Sequence, residues 1–187
     1  ATDGWTVNFN PTQPITDPVI DETGKSKIDQ AKLRLEQLKT QTKPKLTVYL
    51  NQIIRLLDKN KLPSLRLALT STYKFRYWVD KFAQSDAYLN TEADQIGQLL
   101  NQALVTIGQN SQPLKKKQVQ AELNAASKAK QQVETRADQI SGVNLSLGNT
   151  LDLINRYFDR AQTSFDQNNF WQTHADALVV RVLAIEA

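Results

Sequence analysis

Cysteine and methionine are absent from this chain of 187 residues, and histidine occurs once. The missing cysteine excludes a disulfide scaffold, a thiolate nucleophile, cysteine-ligated zinc and iron–sulfur clusters. One imidazole, His174, cannot build a histidine-rich metal site. No apolar run approaches the roughly 20 residues that a helix needs to cross a bilayer. Alternation of apolar and polar residues, the mark of a half-buried strand, never persists beyond a few positions. Glycine and proline number six each, and Pro11, Pro14 and Pro18 fall within one short stretch.

What is present describes a globular chain: 40% apolar, 22% charged and 7% aromatic residues. Such a composition can bury a core, and the length fits one domain. Residues 1–24 stand apart, with three prolines, no Lys or Arg, and the acids Asp3, Asp17, Asp21 and Glu22. Proline fixes φ, removes an amide donor and biases the preceding residue away from helix, so this stretch reads as an extended arm. Trp5 and Phe9 are its expected anchors, on the chain's own body or on a partner. An opening of Ala1-Thr2-Asp3-Gly4-Trp5 without methionine reads as the product of leader removal, or as a trimmed chain.

From Lys25 onward the apolar period is helical. Ile28, Ala31, Leu35 and Leu38 share one helix face, and Pro44 suits the first turn of the next helix. Leu46, Leu50, Ile53, Ile54 and Leu57 then form a stripe. After a short turn, Pro63 starts a helix with Leu65, Leu69, Tyr73 and Val79 or Phe82 facing inward. Residues 83–90 read as a loop, with Thr91 capping a helix that carries Ile96, Leu99, Leu100, Ala103 and Ile107 and closes at Gly108 and Asn110. Ser111-Gln112-Pro113 opens a helix with the seven-residue repeat Val119, Leu123, Ala126, Lys130, Val133, Ala137 and Ile140. Residues 141–149 read as a linker to a last hairpin, marked by Leu151, Ile154, Phe158 and Ala161, then Ala175, Leu178, Val179, Val182 and Leu183.

The fold class is therefore all-α, expected as an antiparallel up-down bundle. Residues 1–24 form the arm, 25–140 the bundle with its four-helix core, and 141–187 the linker and an extra C-terminal helical hairpin packed on the bundle. The turns Leu57-Asp58-Lys59-Asn60-Lys61-Leu62 and Phe165-Asp166-Gln167-Asn168-Asn169-Phe170 share a pattern, read as reused turn chemistry, with an ancient duplication as the alternative.

Catalytic constellations are missing. His174 and Asp176 stand two apart on a helix and so point to different faces. As a lone histidine, His174 reads as a surface or interfacial residue. Gly142 and Gly148 follow no strand and make no phosphate loop, and Asp17, Asp21 and Glu22 lack the ligand spacing of a calcium loop. No catalytic residue, metal ligand, cofactor or small-molecule substrate is assigned, and the chain is not expected to be an enzyme.

Charge is more telling. The formal net charge of +4 averages a balance of +10 over residues 25–82, from fourteen basic and four acidic residues, with an arm at −4. Clustered positive charge attracts an acidic partner: an acidic protein face, anionic lipid or nucleic acid. The expected contact residues are Lys59, Lys61 and Arg66, then Lys74, Arg76, Trp78 and Lys81 where basic and aromatic residues interleave. Lys115, Lys116 and Lys117 join them, because three lysines at a helix start oppose the macrodipole and call for a compensating contact. Tyr73, Phe75 and Tyr77 read mainly as a core stripe flanked by Lys and Arg stems.

The run Leu57-Asp58-Lys59-Asn60-Lys61-Leu62-Pro63-Ser64-Leu65 resembles the joint between the first two bundle helices of the PsbQ family. Tyr73 with Arg76-Tyr77, the proline-bearing arm and the basic helical body are similar to that family too. This chain departs from it in its extra C-terminal hairpin and in Leu62, where the family has tryptophan. The resemblance implies an extrinsic, non-catalytic subunit in the thylakoid lumen, peripheral to the membrane. There it would dock on acidic lumenal faces of photosystem II and help retain the calcium and chloride of water oxidation, ions that belong to the reaction centre. The alternative from another class is a secreted or surface helical bundle that binds an acidic polymer or protein, including a nucleic-acid-binding coat-type protein.

Overall fold

A computed structural model describes residues 22–82, 87–139 and 145–187, all but a few of them in seven helices, with no strand among them. Trp5, Phe9, Phe82's side chain and Ile140 lie outside the described set. The helices are α1 (Glu22–Lys39), α2 (Pro44–Asp58), α3 (Leu62–Phe82), α4 (Ala87–Ser111), α5 (Lys116–Gln139), α6 (Leu145–Asp166) and α7 (Phe170–Glu186).

The apolar periodicity of the sequence becomes burial. Ile28, Ala31, Leu35 and Leu38 seat α1, and Leu46, Leu50, Ile53 and Leu57 seat α2, where Pro44 occupies the first turn. In α3, Leu65, Leu69, Tyr73, Phe75, Tyr77 and Val79 are buried. The two look-alike turns are one device. Each leaves a helix at Asp, places the second residue after it in the left-handed region (Asn60 at φ 52°, Asn168 at φ 61°), and starts the next helix two residues later. Asparagine tolerates that conformation better than other side-chain-bearing residues. In the second turn Asn169 caps α7 by accepting from the Gln172 amide.

Five boundaries differ from the sequence reading, the first at α1, which already starts at Glu22 inside the stretch read as arm. Thr91 is not a cap, because α4 already starts at Ala87 and buries Leu89 on the same face as Ala93 and Ile96. Gly108 does not close α4, which runs on to Ser111. A Cβ at Gly108 would stand 2.3 Å from the Trp171 ring, and one at Gly97 would stand 2.6 Å from the Tyr73 ring. Both glycines exist for close approach, not for chain reversal. Residues 145–149, read as linker, form the first turn of α6, and Gln112–Lys115 precede α5 rather than opening it.

Among the helices, α1, α2, α3 and α4 contact in a cycle: α1 with α2, α2 with α3, α3 with α4 and α4 with α1. The helix α7 touches α3, α4, α5 and α6. Eleven of its 17 residues are buried, so the C-terminal pair is not a peripheral addition. The all-round burial also explains its weak amphipathic pattern, since a helix with neighbours on every side has no solvent face to mark.

Candidate functional site

The packing register shows which charges meet. Tyr73 lies against Gly97, and seven residues further along α3 Asp80 meets Asn90, seven residues before Gly97. At 1.5 Å of rise per residue, Leu62 at the start of α3 therefore stands level with Gly108 near the end of α4. The end of α4 adjoins the start of α7, where Trp171 Nε1 donates to the Gln112 carbonyl at 2.8 Å and Gln109 Nε2 to Asn169 Oδ1 at 3.1 Å. One end of the molecule thus carries the α2–α3 turn, the α4–α5 connection and the α6–α7 turn. Lys59 and Lys61 come from the first of these, and Lys115, Lys116 and Lys117 from the second, all exposed. Residues more than 50 apart in sequence thus stand towards the same end of the helices.

Acids near it are already engaged. Asp58 pairs with Lys32 at 2.9 Å, and Asp166 accepts from Gln162. The ammonium of Lys116 stands 5.7 Å from the Phe165 ring centroid, a cation–π contact that offsets its poor placement at a helix start.

The other sequence-predicted contact residues divide. Lys74 and Lys81 are exposed along α3, on one stripe with Leu67, an apolar residue 54% exposed. Trp78 is half-buried, with Tyr77 edge-on at 5.5 Å and the Lys81 ammonium 5.3 Å from its ring centroid. Arg66 is half-buried and lines a small cavity with Glu122, His174 and Arg181. Arg76 turns inward: it bonds Asn90 Oδ1 at 3.2 Å and lies 3.5 Å from the buried Asp80 carboxylate. Burial removes Arg76 from any contact surface.

Two buried polar groups escaped the sequence reading. The imidazole of His174 is buried, with Nδ1 2.8 Å from both oxygens of Glu122 and the Trp171 ring edge-on at 5.5 Å. It is neither a surface nor an interfacial residue, because α5 covers it. Asp176, wholly buried, accepts from Arg160 Nε and Nη2 at 2.7 Å each, from Asn101 at 2.9 Å and from Gln172 at 3.0 Å. Four donors fill a carboxylate's acceptor capacity, so this group fixes α4, α6 and α7 and has no lone pair left for proton transfer. The Asp176 bonds hold the Arg160 guanidinium above its ordinary pKa. Arg160 in turn covers Tyr157, whose hydroxyl shares a hydrogen bond with that of Tyr73. Burial pushes both phenols above their ordinary 10.0, Tyr73 furthest.

A groove of about 820 Å³ runs between α5 and the last turn of α7, lined by Lys128, Gln132, Thr135, Arg136, Ala184 and Ile185. Its wall holds no acid and no imidazole. Among the described residues no group of three His, Asp or Glu is placed to hold a metal ion. No protein-family model, curated protein or solved structure matches the chain.

Proposed function

We propose that this chain is a non-catalytic docking protein, which sets its lysine-rich end and the adjoining α3 stripe against an acidic face of a larger assembly. The observation that carries this reading is the convergence of Lys59 and Lys61 with Lys115–Lys117 at one end of the helices, with nearby Asp58 and Asp166 already bonded. Exposed lysines whose nearby acids are already bonded elsewhere steer association and set its salt dependence. The resemblance of the Leu57–Leu65 run to the PsbQ family makes the lumenal face of photosystem II the partner to test first. In the same proposal the helices keep the up-and-down antiparallel order, with α1–α4 as the four-helix core; the pairings of Tyr73 with Gly97 and Asp80 with Asn90 support it. No helix among the described residues is long and apolar enough to span a membrane, which accords with peripheral attachment. Trp78 is half-buried, with Tyr77 edge-on and the Lys81 ammonium near its ring, which leaves less of the ring for base stacking and argues against single-stranded nucleic acid.

The test is rebinding of the full chain to photosystem II membranes stripped of extrinsic subunits. Binding is expected at ~0.01 M salt, where charges act over about 30 Å, and release at ~1 M, where they act over about 3 Å. Replacing Lys59, Lys61 and Lys115–Lys117 by glutamine abolishes it. Retention in ~1 M salt, or equal binding by the glutamine variant, sinks the proposal. Binding to duplex DNA with a steep salt slope, and not to the membranes, transfers the surface to nucleic acid.

A further inference from the structure

The helix α7 has one face that its neighbours leave open. It packs against both α3 and α5, yet among the described residues no Cα of α3 lies within 8 Å of one of α5. Along the face between them, His174, Leu178, Arg181 and Ile185 recur at one-turn spacing. Beside His174, Arg66 of α3 and Glu122 of α5 line one small cavity together. Further along α7 lies the groove of about 820 Å³, where Lys128, Gln132 and Arg136 of α5 stand beside Ala184 and Ile185. The helices α5 and α7 run the same way here, since Glu122 meets His174 and, later in both, Arg136 Nη2 donates to the Ala184 carbonyl at 3.3 Å.

The face is apolar in its floor and cationic at its edges. Among the described residues Arg66, Lys128, Arg136 and Arg181 border it, against a single carboxylate, Glu122, which the His174 ring already engages. In the floor Ile185 is 76% exposed and Leu178 half-buried. Leu178, Arg181 and Ile185 therefore alternate apolar, cationic and apolar over two turns, about 10 Å. That order selects the occupant. An acyl chain lying there would meet the Arg181 guanidinium at its middle, and a phosphate backbone would gain nothing from Leu178 and Ile185. A helix with apolar residues at i and i+7 and a carboxylate between them, at i+3 or i+4, matches all three positions.

We infer that this face of α7 seats an acidic amphipathic helix of a partner protein, its apolar residues on Leu178 and Ile185 and its carboxylates towards Arg181 and Lys128. The seat lies towards the opposite end of α7 from the lysine-rich turns, and it stands whether or not those turns dock.

The experiment is fluorescence anisotropy of a labelled synthetic peptide titrated with the full chain. The peptide is a helix about four turns long, with leucine at one-turn spacing on one face and glutamate on both flanks. A peptide of the same composition in scrambled order is the control. The full chain is expected to bind the patterned peptide at least about tenfold more tightly than the scrambled one. Ile185→Ser and Arg181→Gln, both at exposed positions, each weaken binding about tenfold. Thermal midpoints equal to the parent's separate a lost contact from a lost fold. Salt at ~1 M weakens binding without abolishing it, because apolar contacts are not screened. The variant with glutamine at Lys59, Lys61 and Lys115–Lys117 binds the peptide as the parent does. Equal binding of the two peptides, or of Ile185→Ser and the parent, overturns the inference. Loss of binding in the glutamine variant also overturns it, by moving the peptide to the lysine-rich end. Anionic phospholipid vesicles that bind the parent and not Ile185→Ser, with no peptide bound, overturn it in favour of a membrane surface. Self-association that Ile185→Ser abolishes, with no peptide bound, overturns it in favour of a second copy.

Discussion

Asp176 and Arg160 form a pair with unequal partners. The carboxylate is wholly buried, whereas the guanidinium side chain is 45% exposed and can turn to water if released. Removing the cation is therefore the worse injury. Arg160→Met is expected to cost about 3–5 kcal/mol, the range for a buried charge left without its partner. Asp176→Asn, which keeps the shape but turns one oxygen into a donor and so loses two of the four hydrogen bonds, is expected to cost about 1–3 kcal/mol. Urea unfolding of the two variants checks the order, and equal losses would mean that the pair contributes only packing. The Tyr73–Tyr157 pair sets a limit at high pH. Unfolded tyrosine ionises near 10, while burial holds the folded phenols above that, so stability is complete below pH 10 and falls as pH rises towards the folded values. The slope is up to about 1.4 kcal/mol per pH unit for each phenol. The Tyr73→Phe/Tyr157→Phe variant should lose this slope in alkaline denaturation curves followed by circular dichroism. None of these partnerships was legible beforehand. Periodicity marks polar residues as surface, and the buried Asn101, His174 and Asp176 violate that rule through partners 16 to 75 residues away.

At the scale of the element, helix positions were readable where an apolar stripe faces one neighbour, as in α1 and α2. Starts and stops were less so. Thr91 with Asp94 imitates a cap, but Leu89 gives the preceding turn something to bury, and packing outweighs a cap of about 1 kcal/mol. Glycine punctuation misled for a related reason: the partner of Gly108 is Trp171, far along the chain, and no local signal announces it. Gly97, Gly108 and Gly148 therefore predict opposite responses to alanine. At Gly148, exposed in α6 with open space around it, alanine should stabilise by about 1 kcal/mol. At Gly97 and Gly108 the added methyl meets a buried ring, and overpacking of about 1–3 kcal/mol exceeds the helix-propensity gain. Denaturant midpoints that move the same way at all three positions would contradict this.

For the whole molecule, composition conveyed the all-helical class and the uneven charge, because both follow from counting along the chain. The proposed sharing of one end by Lys59 and Lys61 with Lys115–Lys117 could not be counted, since it depends on how the helices stack. Arg76 shows the converse: a basic residue in the richest part of the sequence that the fold turns inward. One feature of the architecture governs how the protein comes into being. Its most buried helix, α7, follows the six helices it packs among or beside in the order of synthesis. As a ribosome or a translocation pore releases the chain from the N-terminal end, the inner faces of α3 to α6 stay bare until residues 170–186 emerge and Trp171 settles on Gly108. Until then the chain exposes apolar surface that chaperones and proteases recognise, so a copy terminated before residue 170 is marked for disposal by the absence of α7.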